Sequence, residues 1–267
     1  MRKIYKKAFT INQFRTTEEI NSYAPLIDQG IYQGIEIFYP YDLTIDGFKA
    51  YTNNIRNLSK KGCEVVMHLP FGPKNDLCDP INYPHTIQRL KDAIDYSKQF
   101  NIKKFTLHLG YAHNREQDLK HLKKVLTELC DYCYGTLMIE NMPGIKEIGY
   151  SPKELFDIIN DVKKDNLAFI LDIGHANVSE YEILDYIHLL KPYLKHIHLH
   201  DNNGIGDEHN KIGAGNIDFK SIIKNLHDYE ELYSFEILYR DVHDLLQNSK
   251  DFDKIIKDIN EVEDEEN

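Results

Sequence analysis

Residues 167–175 read L-A-F-I-L-D-I-G-H. The first six form an apolar run of strand length that ends in an acid, as expected for a strand buried on both faces of a parallel sheet. Similar β-branched or aromatic runs recur on either side: FTINQF (9–14), GIEIFY (34–39), EVVMHL (64–69), KKFTLHL (103–109), TLMIE (136–140), KHIHLH (195–200) and YSFEIL (233–238). Helical spacing fills the gaps, at about 17–29, 44–60, 84–99, 115–133, 152–162, 181–190, 218–227 and 243–260. Ser151, Pro152 and Glu154 supply an N-cap, a first-turn proline and a capping-box acid for one of these helices. Eight strand–helix units of about 30 residues account for the chain, so the sequence predicts a single (β/α)8 TIM barrel over 1–260. The closing EVEDEEN (261–267) reads as a disordered acidic tail. A doubly wound open sheet is the rival architecture, but no G-x-G-x-x-G follows the first strand.

Position gives the strongest functional signal. The third to eighth runs end at or near His68, His108, Glu140, Asp172, His198 and Glu236, separated by 40, 32, 32, 26 and 38 residues. In a barrel each gap is one unit, so these six side chains should converge at the C-terminal mouth, where such folds place their active sites. Any one of them alone reads as a helix cap or a satisfied loop residue. Together they read differently, because acids gathered in one mouth repel unless a cation or a proton lies between them. His175 follows Asp172 in D-I-G-H, and Asp207 and His209 add a carboxylate and an imidazole after the seventh run. Histidine and carboxylate without thiolate suit zinc, manganese or iron, and nine such groups would occupy up to three ions.

The other candidates carry less. His196 and His200 share a strand face with His198, so either could take its place, and His113 lies just past the fourth run. His85, His121, His188, His227 and His243 fall on predicted helices and read as surface or packing residues. Cys130 and Cys133 form a C-x-x-C that closes a helix rather than opening one, so all four cysteines read as reduced structural thiols.

Hydrophobic residues make up 42% of the 267 and charged residues 28%, which supports a sizeable core. The formal charge of −11 argues against a chain-wide nucleic-acid footprint. With no signal-peptide pattern and no apolar run of the roughly 20 residues a membrane span needs, a cytoplasmic protein without a membrane partner is expected. No feature of the sequence specifies an oligomeric state.

The segments H-L-P-F (68–71), I-E-N-M-P-G (139–144), L-D-I-G-H-A (171–176), H-L-H-D-N (198–202), D-E-H (207–209) and I-G-A-G-N-I-D-F (212–219) resemble the xylose-isomerase-like barrel superfamily. That superfamily holds sugar isomerases and epimerases, inosose dehydratases and endonuclease IV. The similarity runs over about 64–239. Likeness to the isomerase branch implies that Glu140, Asp172, His198 and Glu236 hold one manganese or similar ion. It also implies that Glu140 and Glu236 move a proton beside a substrate carbonyl, and that His175 stabilises the enediolate. Likeness to endonuclease IV implies that all nine residues, His68, His108, His175, Asp207 and His209 included, hold three zinc ions that cleave a phosphodiester.

The chain departs from endonuclease IV after His68, where P-F-G-P-K-N-D replaces a DNA-inserting segment, and after Glu140, where a polar glycine-rich turn is missing. A metal-dependent isomerase or epimerase of a sugar-like small molecule is therefore the preferred expectation. An endonuclease IV-like phosphodiesterase or another metal-dependent lyase or hydrolase is the alternative, and nucleic acid is a less favoured partner. A non-catalytic scaffold is a third class, with no use for nine converging ligands. Gly213, Ala214 and Gly215 could offer backbone N–H groups to a phosphate, although a tight loop is the preferred reading.

Overall fold

The computed structural model describes the backbone of residues 5–266 and side chains as far as residue 261. Its strands are β1 (Lys6–Ile11), β2 (Gly34–Phe38), β3 (Glu64–His68), β4 (Lys104–Leu107), β5 (Thr136–Glu140), β6 (Leu167–Asp172), β7 (Leu194–Leu199) and β8 (Leu232–Phe235). Each pairs in parallel with its neighbours, and β8 pairs back onto β1, which closes the barrel in sequence order. The connecting helices are α1 (Thr17–Ser22), α2 (Ala24–Asp28), α3 (Ile45–Ser59), α4 (Tyr83–Ser97), α5 (Arg115–Tyr132), α6 (Pro152–Val162), α7 (Ile173–Val178), α8 (Ile183–Leu190), α9 (Phe219–Asn225) and α10 (Val242–Glu266). None of the described helices is long and apolar enough to cross a membrane.

The (β/α)8 expectation holds, and its departures have local causes. β1 starts three residues earlier than FTINQF suggests. Lys7 disguises the strand: its ammonium is buried, 2.7 Å from Ser249 Oγ and 2.6 Å from Asp253 Oδ1 on α10, so a charged residue occupies a packed position. The helix expected over 17–29 is broken at Tyr23, ahead of Pro25, whose ring nitrogen has no proton to give a continuing helix. At α6, Ser151 Oγ accepts from Glu154 N at 3.1 Å, but the Glu154 carboxylate turns instead to Gly149 N (2.7 Å) and Arg115 (2.6 Å). Rather than closing a capping box, it ties down the loop after β5. α10 carries the acidic segment to Glu266 where a disordered tail is expected, consistent with the good helix propensity of glutamate.

Alternation along the strands positions the site. One set of side chains packs beneath the helices as the main core, while Ala8, Val66, Met138, Ala168, Ile170 and Leu232 form a separate small apolar cluster. Two residues further along their strands, Val66 gives way to His68, Met138 to Glu140 and Ile170 to Asp172, while Leu232 is followed by Ser234 and Glu236. The lumen thus changes from an apolar plug to a polar layer toward the C-terminal ends. Gly34 belongs to the plug: a Cβ there would sit 2.7 Å from Leu232 Cδ1 and 3.2 Å from Ala8 Cβ.

Candidate metal centre

His68, Glu140 and Asp172 are the last residues of β3, β5 and β6, while His108 and Glu236 stand one residue beyond β4 and β8. His198 lies within β7, opposite Asp172 on one side and Ser234 on the other. Asp172 also caps α7, its Oδ1 accepting from His175 N at 2.6 Å. The helix-cap reading of that residue is therefore true as well, and the cap is what turns His175 back over the mouth. Asp207 and His209 come from the long loop after β7. An antiparallel bridge between Asp201 and Asn210 folds this loop back, and Leu238 N donates to His209 O at 2.8 Å. His209 takes a left-handed backbone, φ 49°, which is uncommon for a residue with a Cβ.

All nine predicted residues reach the mouth and fall into three groups, each with its donor atoms within 4.8 Å of one another. Glu140, Asp172, His198 and Glu236 form the central group. On one side Glu140 meets His68 and His108; on the other, His175, Asp207 and His209 gather with His200. Glu140 is common to two groups: its Oε1 lies 3.0 Å from His198 Nδ1 and its Oε2 2.9 Å from His108 Nε2.

Hydrogen bonds fix the orientation of the imidazoles. Backbone carbonyls hold Nδ1 of His68 (Leu69 O, 2.9 Å), His175 (Asn141 O, 2.9 Å) and His209 (Glu236 O, 2.6 Å). A carbonyl can only accept, so Nδ1 carries the proton and Nε2 is left facing the acids. His198 is oriented the other way, its Nδ1 lying 2.9 Å from Glu236 Oε2 and 3.6 Å from Asp172 Oδ2. His200 Nδ1 is buried without a hydrogen-bond partner.

Burial alone would push the Glu140 and Asp172 carboxyls up. The surrounding imidazoles outweigh it, His198 and His108 for Glu140 and His175 and His200 for Asp172, and hold both well below the usual carboxylate range. The converse applies to His175 and His198, which burial would push down but the acids hold well above an ordinary imidazole. His209 is lifted against its burial to about 9, chiefly by Asp207. On His108 burial prevails over Glu140, and its pKa falls. Buried acids whose partners are imidazoles fit a divalent cation that would take the place of those protons.

Two residues outside the predicted nine also reach these groups, one of them named above only as a substitute for His198. His200 joins the Asp207 group rather than replacing His198, its Nε2 3.0 Å from Asp172 Oδ1. Gly174 makes room for its ring, since a Cβ there would overlap the imidazole. Glu36, in the middle of β2, is fully buried beneath His198. The only signal for it was an acid inside the apolar run G-I-E-I-F.

Other candidates lie outside the groups. His113 is half exposed and pairs with Asp76. The amides of Gly213 and Gly215 donate to Asp201 at 2.9 and 2.8 Å, which makes that segment a loop closure rather than an anion cradle. Cys130 and Cys133 are buried free thiols that burial pushes up to about 12 and 11, so neither is poised as a thiolate.

A cavity of about 640 Å³ opens beside the centre, with His68, His209 and Glu236 in its lining. Phe14, Phe38, Tyr39, Tyr41, Phe71 and Tyr239 give it aromatic walls. Its arginine is already engaged: Arg15 binds Glu19 at 2.7 Å and the Tyr239 carbonyl.

Comparison with known proteins bears on the fold and the family. The chain is 28% identical to an uncharacterized protein of Methanocaldococcus jannaschii over 74% of this chain and 72% of the other. It is 26% identical to a probable endonuclease 4 of Mycoplasmopsis pulmonis over 68% and 71%. Among solved structures, a D-tagatose 3-epimerase-like protein superposes with a TM-score of 0.78 at 25% identity, covering 95% of this chain and 98% of that one. The model of the xylose isomerase-like TIM barrel family matches residues 28–259, and the chain belongs to that family.

Proposed function

We propose that the protein is a divalent-metal-dependent isomerase or epimerase of a sugar or sugar phosphate, moving a proton at a carbon beside a carbonyl. The observation that carries this reading is the pair of carboxylates Glu140 and Glu236, which converge on His198 Nδ1 at 3.0 and 2.9 Å where the aromatic-walled cavity reaches the centre. Glu140, Asp172, His198 and Glu236 would hold the ion. Bound there, a divalent ion supplies the charge that polarises neighbouring carbonyl and hydroxyl oxygens and acidifies the adjacent C–H. Two carboxylates allow one to take the proton and the other to return it on the opposite face of the carbon. His175, whose Nε2 lies 3.3 Å from Asp207 Oδ2, would stabilise the developing enediolate oxygen in its protonated form. Aromatic walls suit the apolar faces of a sugar ring, and the likeness to a D-tagatose 3-epimerase-like structure over nearly the whole chain supports the same class.

A second reading, an endonuclease IV-like phosphodiesterase, is favoured by one specific observation. His68 with His108 and His175 with Asp207 and His209 supply two further donor groups beyond what a single ion needs. Metal content per chain separates the two: one ion for the isomerase, two or three for the phosphodiesterase, with zinc and manganese each tested. The chemical test is exchange of a substrate C–H for solvent deuterium across a panel of ketoses and their phosphates. Exchange with one ion bound is the expected result. Cleavage of an abasic-site duplex by protein carrying three zinc ions, with no exchange on any sugar, would overturn the isomerase reading.

A further inference from the structure

Glu36 lies beneath the three groups at the mouth, clustered with His196 and His198 and fully buried inside the barrel. Its Oε2 accepts from His198 Nε2 at 2.8 Å, His196 Nε2 at 3.0 Å and Ser234 Oγ at 3.0 Å, and its Oε1 accepts from Thr106 Oγ1 at 2.8 Å. The donors come from β4, β7 and β8, so one carboxylate on β2 is gripped from three other strands. A buried acid with every oxygen occupied is costly to assemble unless its charge serves a neighbour.

We infer that Glu36 is a positioning residue for the metal centre: by accepting a hydrogen bond from the Nε2–H of His198, it commits Nδ1 to the Glu140–Asp172–Glu236 side and raises the basicity of that nitrogen. The inference rests on the metal-binding part of the proposed function. The geometry distinguishes His198 from its neighbours. His68, His175 and His209 are oriented by neutral carbonyls through Nδ1, whereas His198 is oriented by a full negative charge through Nε2. His198 is also the imidazole that touches Glu140 and Glu236 at once, so a rotation of its ring would disturb the shared side of the centre first. Outer partners of this kind fix the tautomer of a ligating histidine, and their loss typically weakens metal binding by roughly 10- to 100-fold. His196 shares the carboxylate from below and separates the two roles a buried acid can have. Its removal disturbs the same cluster while leaving the Glu36–His198 hydrogen bond in place.

The test is the affinity of folded protein for Zn2+ and for Mn2+, measured by chelator competition in the wild type, Glu36→Gln and His196→Gln. Alongside it, NMR of the zinc-loaded protein follows the His198 Nε2 proton. Glu36→Gln keeps an acceptor oxygen but loses the charge. The expected result is roughly 10- to 100-fold weaker binding and an upfield move of that proton, with His196→Gln close to wild type. Should Glu36→Gln fail to fold, Glu36→Asp takes its place; it keeps the charge but withdraws the oxygens by one bond length, and the same loss is expected. Wild-type affinity together with an unmoved His198 signal in the folded variant overturns this inference alone. A wild type that takes up neither ion overturns both the inference and the metal-dependent reading beneath it.

Discussion

Replacing Glu140 with alanine tests the centre at the residue that joins two of its groups. Glu140 faces His198 with one oxygen and His108 with the other, and its Oε2 lies 3.7 Å from His68 Nε2. Its removal leaves His68 and His108 as a pair, fewer than the three protein ligands of an ordinary zinc site. The central group keeps Asp172, His198 and Glu236, while the group around Asp207 keeps all its members. A chain holding three ions should therefore fall to two, the central one held by its three remaining donors, and a chain holding one should lose affinity by more than the roughly 10- to 100-fold typical of an outer-shell change. Stability gives a second readout. Saturating metal at 100 times its dissociation constant stabilises the native state by about 2.7 kcal/mol. For a chain of this size that is roughly a 5 to 11 °C rise in melting temperature. The wild type should show that rise on loading and Glu140→Ala a clearly smaller one, with elemental analysis and chelator competition run on the same samples. A folded Glu140→Ala that keeps the full metal content, affinity and thermal shift would refute the view that Glu140 binds at the junction.

Two further outcomes follow from the same geometry. In metal-free protein His209 is raised to about 9, against burial, by Asp207. Its proton therefore stabilises the fold fully below the unfolded value near 6.5, and that contribution is lost as pH rises through about 9. Melts in chelator should fall across this window, while metal affinity rises because the ion no longer displaces a proton; stability that climbs instead would contradict the Asp207–His209 pairing. Gly174→Ala places a methyl in the His200 ring, for which overpacking costs of about 1–3 kcal/mol are typical. Denaturant unfolding should detect that loss, and an unchanged midpoint would mean that His200 packs elsewhere.

Much of the site was legible because a barrel turns one-dimensional order into convergence. Residues ending successive strands must meet at one mouth, so His68, His108, Glu140, Asp172 and Glu236 could be placed without coordinates. The loop residues were harder. Asp207 and His209 reach the centre only because the Asp201–Asn210 bridge folds their loop back, a contact that no periodicity encodes. α7 went unseen because its six residues are too few for a 3.6-residue repeat to declare itself, although the Asp172 cap that starts it stood in the sequence. Glu36 was hidden for a deeper reason. Alternation within a strand separates two faces but does not say that one of them lines a closed lumen. An acid between isoleucines in G-I-E-I-F reads as a solvent-facing position until the barrel closes around it.

The histidines of H-I-H-L-H illustrate how little freedom that closure leaves. At two-residue steps on one face of β7 they serve three depths: His196 lies with Glu36 below the centre, His198 within it, and His200 with the Asp207 group above. Their assignment depends on the ladder with β6, which pairs Phe169 with Leu194 but Ile170 with His196, an irregularity that leaves Lys195 unpaired and exposed. Continued without that extra residue from the Phe169 pair, the register would set Asp172 beside Ile197, whose side chain belongs to the outer core. The irregularity instead sets Asp172 beside His198, so the carboxylate and the imidazole share the lumen. A one-residue offset in a parallel ladder thus does what no single side chain could: it brings two strands that each carry ligands into the phase in which those ligands meet.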